Sequence, residues 1–406
     1  MNYLLRVLYM TACGSLLSGC GGSNEQGQPS AGEPTMNILP VANAGYAIDI
    51  IIGADFVLDA SDSFDSDGHI SSYEWLLNSD VISNDMVYQV SPSVAGSYTY
   101  QLIVTDNEGA TDQDQINVRV TSKASADINH FLFYGQSLSV GSQGLPVLTT
   151  EQPYNNVTFS GGPRADLDEV YAFKPLVEDG DQAPDGDNDS GETPSSSAGN
   201  MVTRLIEIEN DRPYTQSRYN LLVSTAGHGN WPIDKLNKES FWYQQYVLSH
   251  IQGGYDVAKT LGKAYEFQAI GWLQGETDID SAETKDSYIE GLKKLRADIE
   301  ADAKLIVGQV QNIPLITYQM AWKSKTSSKI PLALLEASEE DPLIYLATPM
   351  YHFPYHSDKV HLTNIGYIWV GHYFGRVFKR VVYDSVDWKP TSPKAFIRNG
   401  TIIDIE

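Results

Sequence analysis

The chain has 406 residues, of which 42% are hydrophobic and 19% charged, enough for two or three domains with real cores. Its formal net charge is −25. That excess of carboxylates argues against nucleic acid as a partner, because phosphate binding needs clustered Lys and Arg, and against nonspecific adsorption to anionic lipid.

The first twenty residues carry Arg6, an apolar run and then Leu17-Ser18-Gly19-Cys20, the layout of a secretory signal. The Leu-Ser-Gly-Cys ending resembles the bacterial lipobox. That resemblance implies a signal peptide over 1–19, lipidation of Cys20, and an exported lipoprotein anchored to the cell envelope, at the outer membrane or cell surface. The alternative is a plain cleaved signal. Cys13 and Cys20 are the only cysteines, so cleavage leaves the mature chain without disulfides. No later segment approaches the roughly twenty apolar residues of a membrane span, so contact with the membrane is expected only through that lipid. Residues 20–37, rich in Gly, Ser, Gln and Pro, read as a flexible linker.

Residues 38–121 alternate with period two in short runs: Phe56 to Leu58, Ser72 to Trp75, Ser97 to Val104 and Ile116 to Val120. A turn signal every ten residues or so predicts an all-β, immunoglobulin-like sandwich. The stretches LDASDSFDSDGHISSYEW and YTYQLIVTDNEGATD resemble PKD domains, which implies a spacer or a weak carbohydrate or protein contact rather than catalysis. Trp75 is expected in the sandwich core, with a sugar platform as the alternative. Asp62, Asp65 and Asp67 suit a solvated turn, and calcium ligation is the alternative.

After Ser125 strand-like runs alternate with helical ones. His130 to Tyr134, Asn220 to Thr225, Phe267 to Leu273, Lys304 to Gln309 and Leu343 to Thr348 read as strands. Ala198 to Glu209, Phe241 to Leu261, Thr284 to Ala301, Leu332 to Glu339 and Asn364 to Val382 read as helices. The alternation predicts an α/β domain over 126–384, a three-layer α/β/α sandwich around a parallel five-stranded, flavodoxin-like sheet. A long insertion, roughly Gln143 to Ser197, separates the first strand from its helix. Its acidic centre, EDGDQAPDGDNDSGE, reads as a solvated loop, with calcium at Asp185, Asp187 and Asp189 as the alternative. Residues 385–406 end in AFIRNGTIIDIE, where Asn-Gly between β-formers predicts a C-terminal hairpin.

Ser137 lies just past the first apolar strand, in GQSLSVG. A serine hydroxyl needs a base within hydrogen-bond reach, and a strand-to-helix turn can aim backbone N–H groups at a developing oxyanion. Alone, the motif equally describes a helix N-cap serine. Asp358 and His361, in SDKVHLTNIGY, supply the rest. Their spacing lets a carboxylate turn back onto the imidazole, and Thr363 caps the helix that follows. Glu276 reads as an acceptor fixing Gln136 or Gln274, with direct substrate contact as the alternative; Asp278 reads as a helix-start or turn residue. His352, His356, Asp358 and His361 invite a metal reading, but Pro354 breaks the helix that zinc spacing would need. Trp231, Trp322 and Tyr351 are open to sugar stacking or ordinary packing.

The ordered blocks GQS, Gly229, Gln274-Gly275-Glu276 and Asp358…His361 resemble those of SGNH (GDSL-type) hydrolases. The QGE form is similar to the branch of sialate O-acetylesterases and acetyl xylan esterases. The resemblance implies Ser137 as nucleophile, His361 as general base and Asp358 as its orienter. It also implies an oxyanion hole from the N–H groups of Ser137 and Gly229, with Gly227 as the alternative to Gly229, and the side-chain amide of Gln274. The implied activity is cofactor-free removal of O-acetyl groups from an acetylated carbohydrate. A lipase or thioesterase on the same scaffold, or a noncatalytic surface glycan-binding protein, are the other classes.

Overall fold

The computed structural model describes residues 36–51, 54–94, 96–121, 126–180, 191–210, 219–391, 396–399 and 402–405. Cys20 and the signal, most of the linker, and the Asp185, Asp187 and Asp189 stretch lie outside the described residues. The N-terminal part forms strands β1 (Ile48–Ile51), β2 (Phe56–Asp59), β3 (Ile70–Leu77), β4 (Asp80–Ser83), β5 (Val87–Val90), β6 (Gly96–Asp106) and β7 (Thr111–Thr121). One sheet runs β1-β7-β6-β3-β4 and a second pairs β2 with β5. Alternation along β6 sends Tyr100, Leu102 and Val104 inward onto Trp75, whose indole is fully buried. The Asp-rich turn closes on itself. Asp65 accepts from the Asp67 N–H at 3.3 Å, and Asp67 accepts from the Ile38 N–H at 3.1 Å.

The second part contains β8 (Ile128–Gly135), α1 (Ser137–Val140), β9 (Val157–Phe159), β10 (Phe173–Pro175), α2 (Pro194–Asn210), β11 (Asn220–Thr225), α3 (Leu248–Thr260), β12 (Tyr265–Leu273), α4 (Lys285–Val307), β13 (Leu315–Gln319), α5 (Lys329–Glu340), β14 (Ile344–Pro349) and α6 (Asn364–Phe378). The sheet has the order β10-β9-β11-β8-β12-β13-β14. All its pairings are parallel except β10 against β9. Five strands were expected and seven are present among the described residues, because the insertion contributes β9 and β10. Three-residue strands carry too little periodicity to announce themselves.

The central strands are mostly apolar because both faces are covered. Phe131 and Phe133 of β8 meet Phe378 and Phe374 of α6, at centroid distances of 4.8 and 5.5 Å. The alternate residues of β8 face the other way, where His130 lies 5.3 Å from Phe267 and Tyr134 5.6 Å from Trp272. Each Phe buried so completely contributes about 2–3 kcal/mol.

The run expected as a strand at Lys304 to Gln309 is instead the last turn of α4, closed by Gly308, whose N–H bonds the Lys304 carbonyl at 2.9 Å. Leu305 is 84% exposed, so this apolar run was never a doubly covered strand. The true strand is β13, after Pro314. Between the two parts, Arg119 of β7 donates to the Tyr383 carbonyl at 2.7 Å and lies 4.0 Å from the Tyr383 ring. The tail pairs β15 (Phe396–Asn399) antiparallel with β16 (Ile402–Ile405), the expected hairpin.

Candidate active site

The carboxyl ends of β8, β11, β12 and β14 meet at one edge, where an open α/β sheet leaves room for a site. At the end of β8, Gly135 has φ +140°, and a Cβ there would lie 2.1 Å from the Leu273 carbonyl oxygen. Only glycine lets the strand approach β12 this closely while turning sharply. Gln136 follows, its N–H bonding the Leu273 carbonyl at 2.8 Å, and Ser137 then opens α1. Ser137 is not the cap; Gln136 holds that position, without a side-chain cap bond. The Ser137 N–H therefore belongs to the first turn, where a helix has no carbonyl to offer it.

On the loop after β14, Tyr355 bridges Leu362 and brings the chain back on itself. The Thr363 hydroxyl accepts from the Gly366 N–H at 3.2 Å and starts α6 as its cap. Within that loop Asp358 Oδ1 accepts from the N–H groups of Val360, at 2.9 Å, and His361, at 3.0 Å. Its Oδ2 lies 2.6 Å from His361 Nδ1, and His361 Nε2 lies 2.8 Å from Ser137 Oγ. Three side chains separated by 224 residues along the chain thus stand in one hydrogen-bond series. Partial burial alone would raise the Asp358 carboxyl. Bonds from the His361 ring and from the Val360 and His361 N–H groups outweigh it and hold the carboxyl below its ordinary value. Ser137 itself is only 4% exposed, whereas the imidazole and carboxylate reach the surface.

Gln274 behaves differently from its expected role as an oxyanion donor. Its side chain is fully buried. Its amide nitrogen donates to an Asp278 carboxylate oxygen and, at 3.2 Å, to the Trp231 carbonyl. Its Oε1 accepts from the Tyr288 hydroxyl at 2.8 Å. Both amide hydrogens thus serve protein acceptors, and the residue ties the loop after β11 to the end of β12. Asp278, which opens a short helical turn as the sequence allows, is also the anchor. It also accepts from the Ile233 N–H at 3.0 Å, and burial raises its carboxyl despite these bonds.

Glu276 does not fix Gln136 or Gln274. Both its oxygens lie 2.7 Å from the Tyr318 hydroxyl of β13. Burial pushes its carboxyl up to about 7, against the lowering effect of that hydroxyl. Gln136 does its own fastening, its Oε1 lying 3.4 and 3.3 Å from the N–H groups of Gly275 and Thr277. Gly229 is buried in the loop after β11, and its carbonyl lies 2.8 Å from His228 Nδ1. The His228 N–H hangs that loop from the Gly135 carbonyl at 2.9 Å, beside the nucleophile turn.

The flanks of the acidic insertion are not solvated. Glu178 and Glu192 are 1% and 0% exposed. Glu178 accepts from Thr193 and Ser196 hydroxyls at 2.6 and 2.8 Å, and burial pushes it up to about 7. The buried Arg164 guanidinium, 3.8 Å from Glu178, donates to the Val140 and Gly191 carbonyls at 3.1 and 2.8 Å. The insertion is thereby pinned to the end of α1. The signal available in sequence was a lone Arg164 and the hydroxyl run from Thr193 to Ser197. Of the histidines read as metal candidates, His352 packs against Phe353 at 4.2 Å and His361 faces Ser137. Among the described residues, no group of three or more His, Cys, Asp or Glu side chains is arranged to hold a metal ion.

A β-sandwich followed by an α/β domain with a mostly parallel sheet matches what families of known proteins share with this chain: residues 44–120 match the PKD domain family, and an esterase domain follows. Residues 170–380, over half of the chain, match the carbohydrate esterase family described as sialic acid-specific acetylesterase, and the chain belongs to that family. The matched span contains Gln274, Glu276, Asp358 and His361 and begins after Ser137.

Over 101 residues the chain is 34% identical to the pre-pro-metalloprotease PrtV of Vibrio cholerae, which covers 24% of this chain and 11% of that protein. The chain thus spans about a tenth of the length of the curated relatives it matches. A PKD domain of Vibrio anguillarum Epp is 34% identical and covers 22% of this chain and 100% of that one, with a TM-score of 0.19. A protein from Arabidopsis thaliana is 18% identical over 63% of this chain and 98% of its own, with a TM-score of 0.48.

Proposed function

We propose that the protein hydrolyses O-acetyl esters on a carbohydrate through an acyl-enzyme on Ser137. One observation carries the reading: His361 Nε2 lies 2.8 Å from Ser137 Oγ while its Nδ1 lies 2.6 Å from Asp358. Asp358 holds the Nδ1–H tautomer, so Nε2 is the free base. Ser137 Oγ attacks the ester carbonyl and its proton passes to His361 Nε2. The tetrahedral oxyanion is met by the N–H groups of Ser137 and Gly229, with Gln274 holding the surrounding loop rather than donating. Collapse expels the sugar hydroxyl, which takes the proton from His361. Water, deprotonated by the same imidazole, then attacks the acyl carbon and releases acetate and the free serine.

The family supports the carbohydrate. The five central parallel strands, in the order β11-β8-β12-β13-β14, support a flavodoxin-like core with the site at its carboxyl edge. On the same reading the protein is exported and held at the envelope by a lipid on Cys20. Labelled palmitate should enter the chain in cells and be lost in Cys20→Ser; equal labelling in both rejects the anchor.

Acetate release from a panel of O-acetylated glycans tests the activity. Wild-type protein should release acetate, and Ser137→Ala should not. Release of long acyl chains without acetate would move the protein to the lipase class. Equal acetate release by wild type and Ser137→Ala would remove the nucleophile from the account.

A further inference from the structure

A second concavity, of about 390 Å³, lies on the loop that continues from Gly229. Its wall includes Trp231, Asp234, Lys235, Asn237, Glu239 and Phe241. The loop is tied to the nucleophile turn through the His228 N–H on the Gly135 carbonyl, and to the end of β12 through Gln274 on the Trp231 carbonyl. The concavity therefore keeps a fixed relation to Ser137.

Trp231 is rigidly presented. One face of its indole stacks on His228, with centroids 3.6 Å apart and planes inclined by 13°. Trp242 meets it edge-on at 5.7 Å. In the same wall Phe241 is 71% exposed and presents its ring to solvent. Aromatic walls with short polar side chains between them suit a ring that is apolar on its C–H faces and carries hydroxyls at its rim. Asp234 and Asn237 line the same concavity, with Asn237 Oδ1 accepting from the Glu239 N–H at 3.1 Å. Charge selects further. Lys235, whose ammonium lies 6.0 Å from the Trp231 centroid, stands beside Asp234 in the lining, and Glu239 pairs with Lys294 at 3.6 Å, while the chain as a whole is strongly acidic. An anionic sugar would approach against the net charge of −25, and a neutral one would not.

We propose that this concavity is a subsite for a neutral pyranose ring of the polysaccharide, neighbouring the unit whose acetyl group enters the Ser137 site. The proposal rests on the esterase reading for its biological sense, but its binding step can be tested alone. Calorimetry with unacetylated xylotetraose on the Ser137→Ala protein should detect binding, and adding Phe241→Ala should weaken it about tenfold, the worth of one good aromatic contact. In active protein, Phe241→Ala should lower the ratio of kcat/KM for acetylated xylotetraose to that for p-nitrophenyl acetate by a similar factor, mainly through KM. N-Acetylneuraminic acid should bind more weakly than xylotetraose. No binding of xylotetraose, binding indifferent to Phe241→Ala, or tighter binding of the acidic sugar would each overturn the subsite. None of those results touches the esterase reading, which fails if Ser137→Ala leaves acetate release unchanged.

Discussion

Asp358→Asn isolates the tautomer argument, because the loop dictates how the new amide must sit. Asp358 Oδ1 accepts two backbone N–H groups, from Val360 and His361. An amide nitrogen in that place would confront two donors, so the amide oxygen stays there and the NH2 turns toward His361 Nδ1. The imidazole must then accept at Nδ1 and carry its proton on Nε2, 2.8 Å from Ser137 Oγ. In that state it cannot take the serine proton. The fold is undisturbed, since both loop bonds persist and the side chain is 31% exposed. A tautomer inversion of this kind costs about ten-thousand-fold in kcat, or roughly 5.5 kcal/mol of transition-state stabilisation. Initial rates on p-nitrophenyl acetate at pH 7 measure it, with circular dichroism to show an intact fold. A well-folded variant within about tenfold of wild type would refute the assignment of Asp358 as orienter of His361.

Gln274→Ala should act on stability more than on turnover. It strips partners from the Trp231 carbonyl, Asp278 and the Tyr288 hydroxyl, of which Asp278 and Tyr288 retain others. Urea unfolding should show a loss of about 2–5 kcal/mol, while the kcat of the folded fraction falls by less than about tenfold; a fall of a hundredfold or more without loss of stability would restore it as an oxyanion donor. Glu276 titrates at about 7 when folded, against 4.5 for the free group, so the folded chain holds an extra proton between those values. Its contribution to stability is therefore full below pH 4.5 and declines as pH rises to about 7, by about 3 kcal/mol. Glu276→Gln removes this decline, so its gain over wild type in urea should be larger at pH 8 than at pH 4.5; a pH-independent difference would contradict the burial argument.

Legibility in the sequence followed the range of the interactions. The runs FLFY and NLLVST were readable as buried strands because continuous apolar residues are what double coverage requires. The three-residue span from Asp358 to His361 was readable because the contact is local. The α4 end at Lys304 to Val307 was misread because a short apolar run has the same look in a helix terminus and in a strand, and only Gly308 and Pro314 separate the two. Gln274 and Glu276 were placed on the right turn but given the wrong partners. Their true partners, Asp278 and Trp231 for one and Tyr318 for the other, are set by how three strand ends converge. Burial of Glu178 and Glu192 ran against composition, because Arg164 and two hydroxyls meet Glu178, and the Leu148 and Thr149 N–H groups and the Thr149 hydroxyl meet Glu192.

Mass spectrometry of the folded protein after exposure to a fluorophosphonate tests the central claim most directly, since only a hydroxyl activated by an adjacent base reacts at an appreciable rate. The account predicts a single adduct per chain, on the peptide that contains Ser137, and its disappearance in His361→Ala. A folded chain that takes no label, or takes it on a different residue, would contradict it.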